Sequence, residues 1–580
     1  MGICDRLGKF FRRTVPLANK LRSYSRQDAL GDAIAGLTIS LAMIPQSIAY
    51  AALANLEPQY GLNSAFAGCL VYVVFGTVKE VVIGPSSLMS LLTLEFTYRL
   101  NVDFAILLTF LAGFLQMVIA LLKLGVLLGY ISTPVISGFT SASSIIIVGS
   151  QLKGMLGIQF KSSGFVDSLV GLKKNIHQQR DGDTILGICC LIGLFILKAA
   201  KENLAERYSK YPWLKTALVT LGTARNALVV FASSCVAWYY QSNDMTVPFI
   251  TTRATESGIP LPRIPPLSTT FQNRTLSFTD MIDELGTGPM TVAIVGVLIN
   301  VAIAKKFADG PVDVQQEIAT LSLCNMFGSL FQSIPTSGAF TRSALIGASG
   351  VRSTFASLYS AILSLLAIQF LGPHIHLIPR ASLSAMLIAA VVVLIDWETP
   401  RRVWKRSKIE FLAVVATLLG CLLIRIDLGL LCGVAVGIAR LTYKWARPSI
   451  TVDRVQSDFG MCVVVKPDIS LHFPSAEYFS QFLLKEARKE ISGTPIIIDC
   501  ECVVDSDYTV ATTLNLLQEI FEKTGHKLVL TNVPPLCKKK WKMGKIRETL
   551  ISPPGEAFYA AFGKKIDSTE NDETFQLIGT

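Results

Sequence analysis

Apolar residues along this chain gather into long runs between about residues 31 and 445, separated by short polar interruptions. The pattern predicts about fourteen apolar segments, near 32–53, 63–78, 85–99, 104–122, 130–149, 183–200, 224–241, 288–304, 319–333, 338–349, 354–372, 381–396, 409–424 and 428–443. Residues 104–122 and 382–395 hold no charge at all. Many of the runs approach the roughly 20 residues that carry a helix across a bilayer, and shorter ones suit helices that are broken or covered by neighbours. After Pro448 the pattern changes. "MCVVVKP", "PIIIDCECVV" and "KLVLTNV" predict strands, and 476–491 and 508–523 predict helices between them. Strands alternating with helices imply parallel βαβ units. The expectation is a basic cytoplasmic arm over 1–30, a membrane domain over 31–446, a small cytoplasmic α/β domain over 452–566 and a polar tail over 567–580.

The basic residues orient the segments. With the N-terminus inside and every segment crossing, cytoplasmic loops should collect Lys and Arg. Lys9, Arg12, Arg13, Lys20, Arg22 and Arg26 precede segment one. Lys79, Lys123, Lys201, Lys305, Lys306 and Arg352 follow even-numbered segments, as does the cluster Arg401, Arg402, Lys405, Arg406 and Lys408. An even number of crossings with both termini cytoplasmic accounts for this. The longest outside loop, 242–287, holds the sequon Asn273-Arg274-Thr275, so Asn273 is the expected glycosylation site.

Composition agrees: 51% of residues are hydrophobic and 16% charged, against about 25% charged in soluble domains. The net charge of +11 is loop topology, so nucleic acid is not an expected partner. The stretch 1–26 has no apolar core of a cleaved signal peptide. Cysteines show neither zinc nor thioredoxin spacing, and His374 and His376 flank an outside turn. No nucleophile–base set, metal spacing or phosphate loop stands out, so neither an enzyme nor a cofactor is expected.

Two places interrupt the apolar pattern. Gly84-Pro85-Ser86-Ser87 opens segment three, and "SIPTSGAFTRSAL", 333–345, opens segment ten. Segments three and ten are seven apart, the spacing of two inverted seven-helix repeats, and paired interruptions of this kind point to a transporter site. A helix that starts in mid-membrane leaves its first N–H groups unpaired and carries about half a positive charge there. Two such ends plus the Arg342 guanidinium supply about +2, which suits a divalent anion without excluding a monovalent one. Ser86, Ser87, Thr336 and Thr341 add hydroxyls. Each residue also has a plainer reading. Arg342 is otherwise a snorkelling or packing residue at a segment end, Ser86 and Ser87 are ordinary helix starters, and Gln46 and Tyr50, which share a face at i, i+4, make ordinary interhelical hydrogen bonds. Glu95 and Arg99 read as an i, i+4 ion pair at the membrane edge.

"AGLTISLAMIPQSIAYAALANLEPQYGL" (35–62), "VIGPSSLMSLL", "NMFGSLFQSIPTSGAFTRSAL" and "IPRASLSAML" occur in the order found in the sulfate permease (SulP) family of anion transporters, which the chain resembles from about residue 25 to 566, with a C-terminal STAS domain. "DSDYTV" and the short N-terminus look most like the animal branch of sodium-independent sulfate anion transporters. The resemblance implies an α-helical multi-pass membrane protein of about fourteen segments in a seven-plus-seven inverted repeat, with core and gate domains that move as an elevator, often as homodimers. It implies sulfate, chloride, bicarbonate or oxalate as substrates. It places the anion at Gln46, Tyr50, Ser86, Ser87, Phe340, Thr341 and Arg342.

Two departures stand out. Many relatives carry an acid in segment eight where this chain has Ile299, so an exchanger or uniporter is expected here rather than an obligate proton symporter. In stand-alone STAS relatives a Ser in the loop before a helix is phosphorylated. Here Asp505 occupies that position and Ser506 remains as a weaker acceptor. Other function classes remain open on sequence: a chloride-conducting or motor protein on the same scaffold, a receptor that recruits partners through the STAS domain, and a nucleobase or bicarbonate carrier of related architecture.

Overall fold

The computed structural model describes residues 24–97, 100–126, 131–158, 160, 165–204, 212–252, 258–271, 274–457, 460–543, 551–552 and 556–562. The chain divides into two compact units after Val434.

A helix stands at each of the fourteen segments, the first thirteen within the first unit and the last containing the division: α1 Arg26–Leu53, α2 Pro58–Phe75, α3 Ser87–Thr97, α4 Val102–Leu121, α5 Thr133–Met155, α6 Asp181–Ala199, α7 Arg225–Ser242, α8 Gly288–Phe307, α9 Val314–Leu330, α10 Phe340–Ala348, α11 Ala356–Leu371, α12 Arg380–Val391, α13 Lys408–Leu423 and α14 Ile426–Ala446. Shorter surface helices are named by their residues. Among the described residues, eight helical spans have the length and hydropathy to cross a membrane, and a ninth counts if Ala217–Thr223 and Arg225–Ser242, bent by 71°, form one span. The others are shorter or more polar. The two shortest, α3 with 11 residues and α10 with 9, reach only about half of the roughly 30 Å hydrocarbon core.

Local chemistry starts several helices. Ser25 and Asp28 form a capping box at α1, Asp313 accepts from Gln316 N–H at α9, and Ser407 accepts from Glu410 N–H at α13.

The repeat is visible in the packing. α1 packs on α2, α3, α10 and α11, while α8 packs on α9, α10, α3 and α4. α2 meets α11 as α9 meets α4, and α5 meets α13 as α12 meets α6. Exchanging each helix for the one seven places on maps these pairs onto one another, and α2–α9 and α5–α12 map onto themselves. Seven crossings is an odd number, so the second repeat enters from the opposite side. Two groups result, α1–α4 with α8–α11 and α5–α7 with α12–α14. They meet where α1 packs on α7 and α12 and where α3 approaches α5.

Between α7 and α8 lie a hairpin, β2 Thr269–Phe271 and β3 Arg274–Leu276, and the helix Phe278–Leu285. Asn273 falls between those strands and lies outside the described residues. The Glu95 carboxylate meets Arg425 at 2.8 Å. The expected partner, Arg99, lies outside the described residues. Glu95 lies in the last turn of the half-length α3, and Arg425 sits just before α14, so the pair links the two helix groups.

The second unit is a four-stranded sheet in the order β5–β6–β7–β8 (Ile450–Ser457, Gly460–Pro467, Ile496–Asp499, Leu528–Thr531). β6, β7 and β8 are parallel, and β5 adds an antiparallel edge. Helices α15 Phe473–Ala487 and α16 Tyr508–Thr524 make the crossovers, followed by α17 Pro535–Met543 and α18 Ala557–Phe562. "PIIIDCECVV" is strand only to Asp499. There Asp499 Oδ1 accepts from Glu501 N–H at 3.1 Å and turns the chain. The two candidate phosphoacceptor positions are both committed. Asp505 pairs with Lys540 at 2.6 Å. Ser506 is buried, and its hydroxyl accepts from Trp541 Nε1 at 3.0 Å. An enclosed hydroxyl held by an indole is not an accessible acceptor, which removes Ser506 from consideration.

Candidate functional site

Both interruptions become two-residue strands that pair with each other. β1 (Gly84–Pro85) and β4 (Thr336–Ser337) run antiparallel, with Gly84 opposite Ser337 and Pro85 opposite Thr336. α3 and α10 start within three residues of this pair. Their first intrahelical bonds are Ser90 N–H to Ser86 C=O and Ser343 N–H to Ala339 C=O. The N–H groups of Ser87, Leu88 and Met89 and of Phe340, Thr341 and Arg342 therefore precede the helical ladder. Ala339, the N-cap of α10, contributes no side-chain cap. Both half-helices thus offer backbone donors next to one short β-bridge.

Non-helical backbone at this depth survives only if protein groups satisfy it, and each break is satisfied by side chains distant in sequence. Thr109 donates to Ser333 C=O at 3.1 Å, and Ser64 Oγ accepts from Ile334 N–H at 2.9 Å. Cys69 donates to Ile83 C=O. Asn325 takes up both the N–H and the C=O of Thr336.

Arg342 closes the arrangement. It is among the largest fully buried side chains. Its guanidinium donates to the carbonyls of Pro85, Gly84 (3.2 Å) and Ser337 (3.0 Å), so it staples both strands at once. A guanidinium has five N–H donors. Three are used, and Nε has no acceptor among the described residues. Among the described residues none of its hydrogen-bond partners is a carboxylate, so no acid there compensates the charge at close range. The sequence reading treated Arg342 as a free charge at the cradle. In the structure it first builds the cradle, and only its remaining donors are open to a ligand.

The other expected residues sort as follows. Gln46 and Tyr50 are buried on one face of α1; Gln46 Oε1 has no hydrogen-bond partner among the described residues, and the Tyr50 phenol interacts with Ser87 and Arg342. The Ser86 hydroxyl is buried against that of Ser337 at 2.9 Å. Ser87 and Phe340 are half-buried at the helix starts. Thr341 is exposed, so its hydroxyl is not part of the buried knot and only its backbone N–H is placed with the site.

Four buried polar residues escaped the sequence reading. Asn325 and Gln116 stand behind β4. Asn300 on α8, next to Ile299, is fully buried beside Gly338, and its amide interacts with the Glu317 carboxylate. A Cβ on Gly338 would lie 3.0 Å from Asn300 Oδ1. Glu317 is also buried. It accepts from Tyr72 (3.1 Å) and from the Thr77 N–H (2.9 Å) and hydroxyl, tying α9 to the connection between α2 and β1. Its sequence context, an acid in the first turn of a helix, reads as an ordinary N-terminal charge.

A multi-pass helical membrane protein with an inverted repeat, facing half-helices and a separate α/β domain is the architecture of a secondary transporter. Residues 30–417 match the Sulfate permease family and residues 415–559 the STAS domain. The chain belongs to the sulfate permease family. It is 37% identical over 526 residues to the sodium-independent sulfate anion transporter of Bos taurus, covering 90% of this chain and 86% of that protein. It is 28% identical to high affinity sulfate transporter 2 of Stylosanthes hamata, covering 92% and 83%. The structure of murine Slc26a9 has the same fold at a TM-score of 0.83 and 20% identity, covering 97% of this chain and 94% of that one.

Proposed function

We propose that this chain is a secondary active anion transporter that moves sulfate, without sodium, in exchange for chloride, bicarbonate or oxalate. The observation that carries this is a buried arginine with no carboxylate partner among the described residues, set at the β-bridge from which two half-helices start. The names of the bovine and plant relatives support sulfate as the substrate. Two helix ends and one guanidinium amount to about +2, matched to a divalent anion. The anion sits against the N–H groups that open α3 and α10, the spare donors of Arg342, and the side chains of Gln46, Tyr50, Ser86 and Ser87. Phe340 walls the site, and Thr341 contributes its N–H.

Because both breaks and both half-helices belong to α1–α4 and α8–α11, that group carries the anion as one body. It slides along α5–α7 and α12–α14 as an elevator, exposing the site to each side in turn. Ile299 leaves no carboxylate at that position of α8, which favours exchange over obligate proton symport. The plasma membrane, cytoplasmic termini, a homodimer and glycosylation at Asn273 complete the proposal.

The test is counterflow. Purified chain in sodium-free proteoliposomes should take up radiolabelled sulfate faster when loaded with chloride, bicarbonate or oxalate. Sulfate flux that ignores the internal anion and follows an inward proton gradient would overturn exchange, and absence of sulfate flux alongside chloride current would favour a channel.

A further inference from the structure

The amide pair Gln116 and Asn325 lies outside the anion-lining set, yet it controls the strand on which that set hangs. Asn325, on α9, has all four side-chain hydrogen-bonding positions filled. Its Oδ1 accepts from Thr336 N–H at 2.8 Å and from the Thr336 hydroxyl at 2.9 Å. Its Nδ2 donates to Thr336 C=O at 3.3 Å and to Gln116 Oε1 at 2.9 Å. Gln116, on α4, is fixed in turn because its Nε2 donates to Ala293 C=O on α8 at 3.4 Å. All of these groups are buried.

The set has a direction. A carbonyl at Ala293 admits only a donor, so Gln116 must present Oε1 to Asn325. Asn325 must then present Nδ2 to Gln116 and Oδ1 to the Thr336 N–H. A flipped amide at either position would oppose donor to donor or acceptor to acceptor. Arg342 grips the same two-residue bridge through the carbonyls of Gly84, Pro85 and Ser337. β4 is therefore held on one flank by a cation and on the other by an oriented amide pair.

The backbone has made room for this. A Cβ on Gly113 would lie 2.9 Å from Met326 N and 3.1 Å from Asn325 Cβ. Gly113 is one turn before Gln116, and its carbonyl accepts from Ser322 at 2.7 Å. Only a glycine lets α4 approach α9 closely enough for the amides to meet.

Resting on the anion site proposed above, we infer that Gln116 and Asn325 are positioning residues for anion binding. They set where Thr336 sits, and with it the position of the α10 N–H groups and of the Arg342 donors. Neither amide touches the anion.

The experiment measures sulfate KM, Vmax and the sulfate-to-chloride preference of the purified full chain in proteoliposomes, with folded protein quantified. Asn325→Asp replaces both Nδ2 donors by an acceptor. Gln116→Met removes the relay without adding charge. Gly113→Ala keeps both amides but parts the helices. A displaced donor set should raise KM about tenfold, the effect of one lost hydrogen bond of ordinary strength. It should also lower the preference for sulfate and leave Vmax per folded molecule within a factor of about two. A purely structural role would lower the folded amount while KM and preference stay at wild-type values. If Asn325→Asp fails to fold, the other two variants decide. Wild-type KM and preference in folded Gln116→Met and Gly113→Ala overturn the positioning role. Arg342→Lys separates the levels: if it raises KM while the amide variants do not, only the positioning role fails, and if it too leaves KM unchanged, the anion site itself is misplaced.

Discussion

Replacing Arg342 by lysine keeps the charge and discards the fork. The guanidinium reaches three carbonyls on two strands and still has two N–H donors to spare. An ammonium has three donors at one point and a shorter reach, so carbonyl bonds and anion bonds compete for the same hydrogens. Alanine is the less informative change, because it strands three buried carbonyls at about 1–3 kcal/mol each and threatens the fold. In the lysine variant at least one charge-assisted bond to the anion should be lost. At about 1.5–3 kcal/mol, that corresponds to roughly a 10- to 150-fold weaker sulfate affinity. The assay is sulfate uptake against concentration in sodium-free medium, with surface protein quantified, so that KM is read apart from abundance. A wild-type KM in well-expressed Arg342→Lys would refute the reasoning, because it would mean that the cation serves packing alone.

Other expectations follow from single contacts. Glu95 and Arg425 are each about half exposed and link the two helix groups at 2.8 Å. An exposed pair contributes about 0.2–1 kcal/mol, so Arg425→Glu should shift the balance between transport states by roughly 1.5- to 5-fold, and the double swap with Glu95→Arg should restore the wild-type exchange rate; no shift in the single variant would mean the pair does not report on movement. In the α/β unit the Lys540 ammonium hydrogen-bonded to Asp505 holds that carboxyl below its ordinary value. A carboxyl with a depressed folded pKa stabilises above its unfolded value, about 3.9, and loses that contribution as pH falls through the folded value. Lys540→Met should therefore lower the melting temperature of the unit at pH 7, and the gap to wild type should close below about pH 4; a gap that persists there would rule out the ion pair as its source.

Much of the membrane architecture was legible in sequence because lipid leaves a chain few options. Long apolar runs must be helices. The breaks were legible too, since Pro85, Gly84, Pro335 and Gly338 cannot sit quietly inside apolar helices. The partners of the breaks were not legible. Arg342 reaches carbonyls more than 250 positions away, and Asn325 finds Gln116 on another helix. No periodicity encodes such pairings. Glu95 shows the same limit: its ion pair with Arg425, a residue more than 300 positions away in the other helix group, follows from no spacing along the chain. Thr341 stands beside Arg342 in sequence, but successive helical residues point about 100° apart, so its side chain is exposed where that of Arg342 is buried. In the α/β unit the edge strand β5 was missed because "ITVDRVQS" mixes charges into its alternation, as edge strands do.

The most direct measurement is the position of the anion itself. Selenate has the shape and charge of sulfate and a strong anomalous signal. In a structure of the full chain determined with selenate, its density should lie between the first turns of α3 and α10, within hydrogen-bond distance of the Ser87 and Thr341 N–H groups and an Arg342 donor. Selenate bound elsewhere, with the space beside the β1–β4 bridge filled by protein alone, would contradict the account.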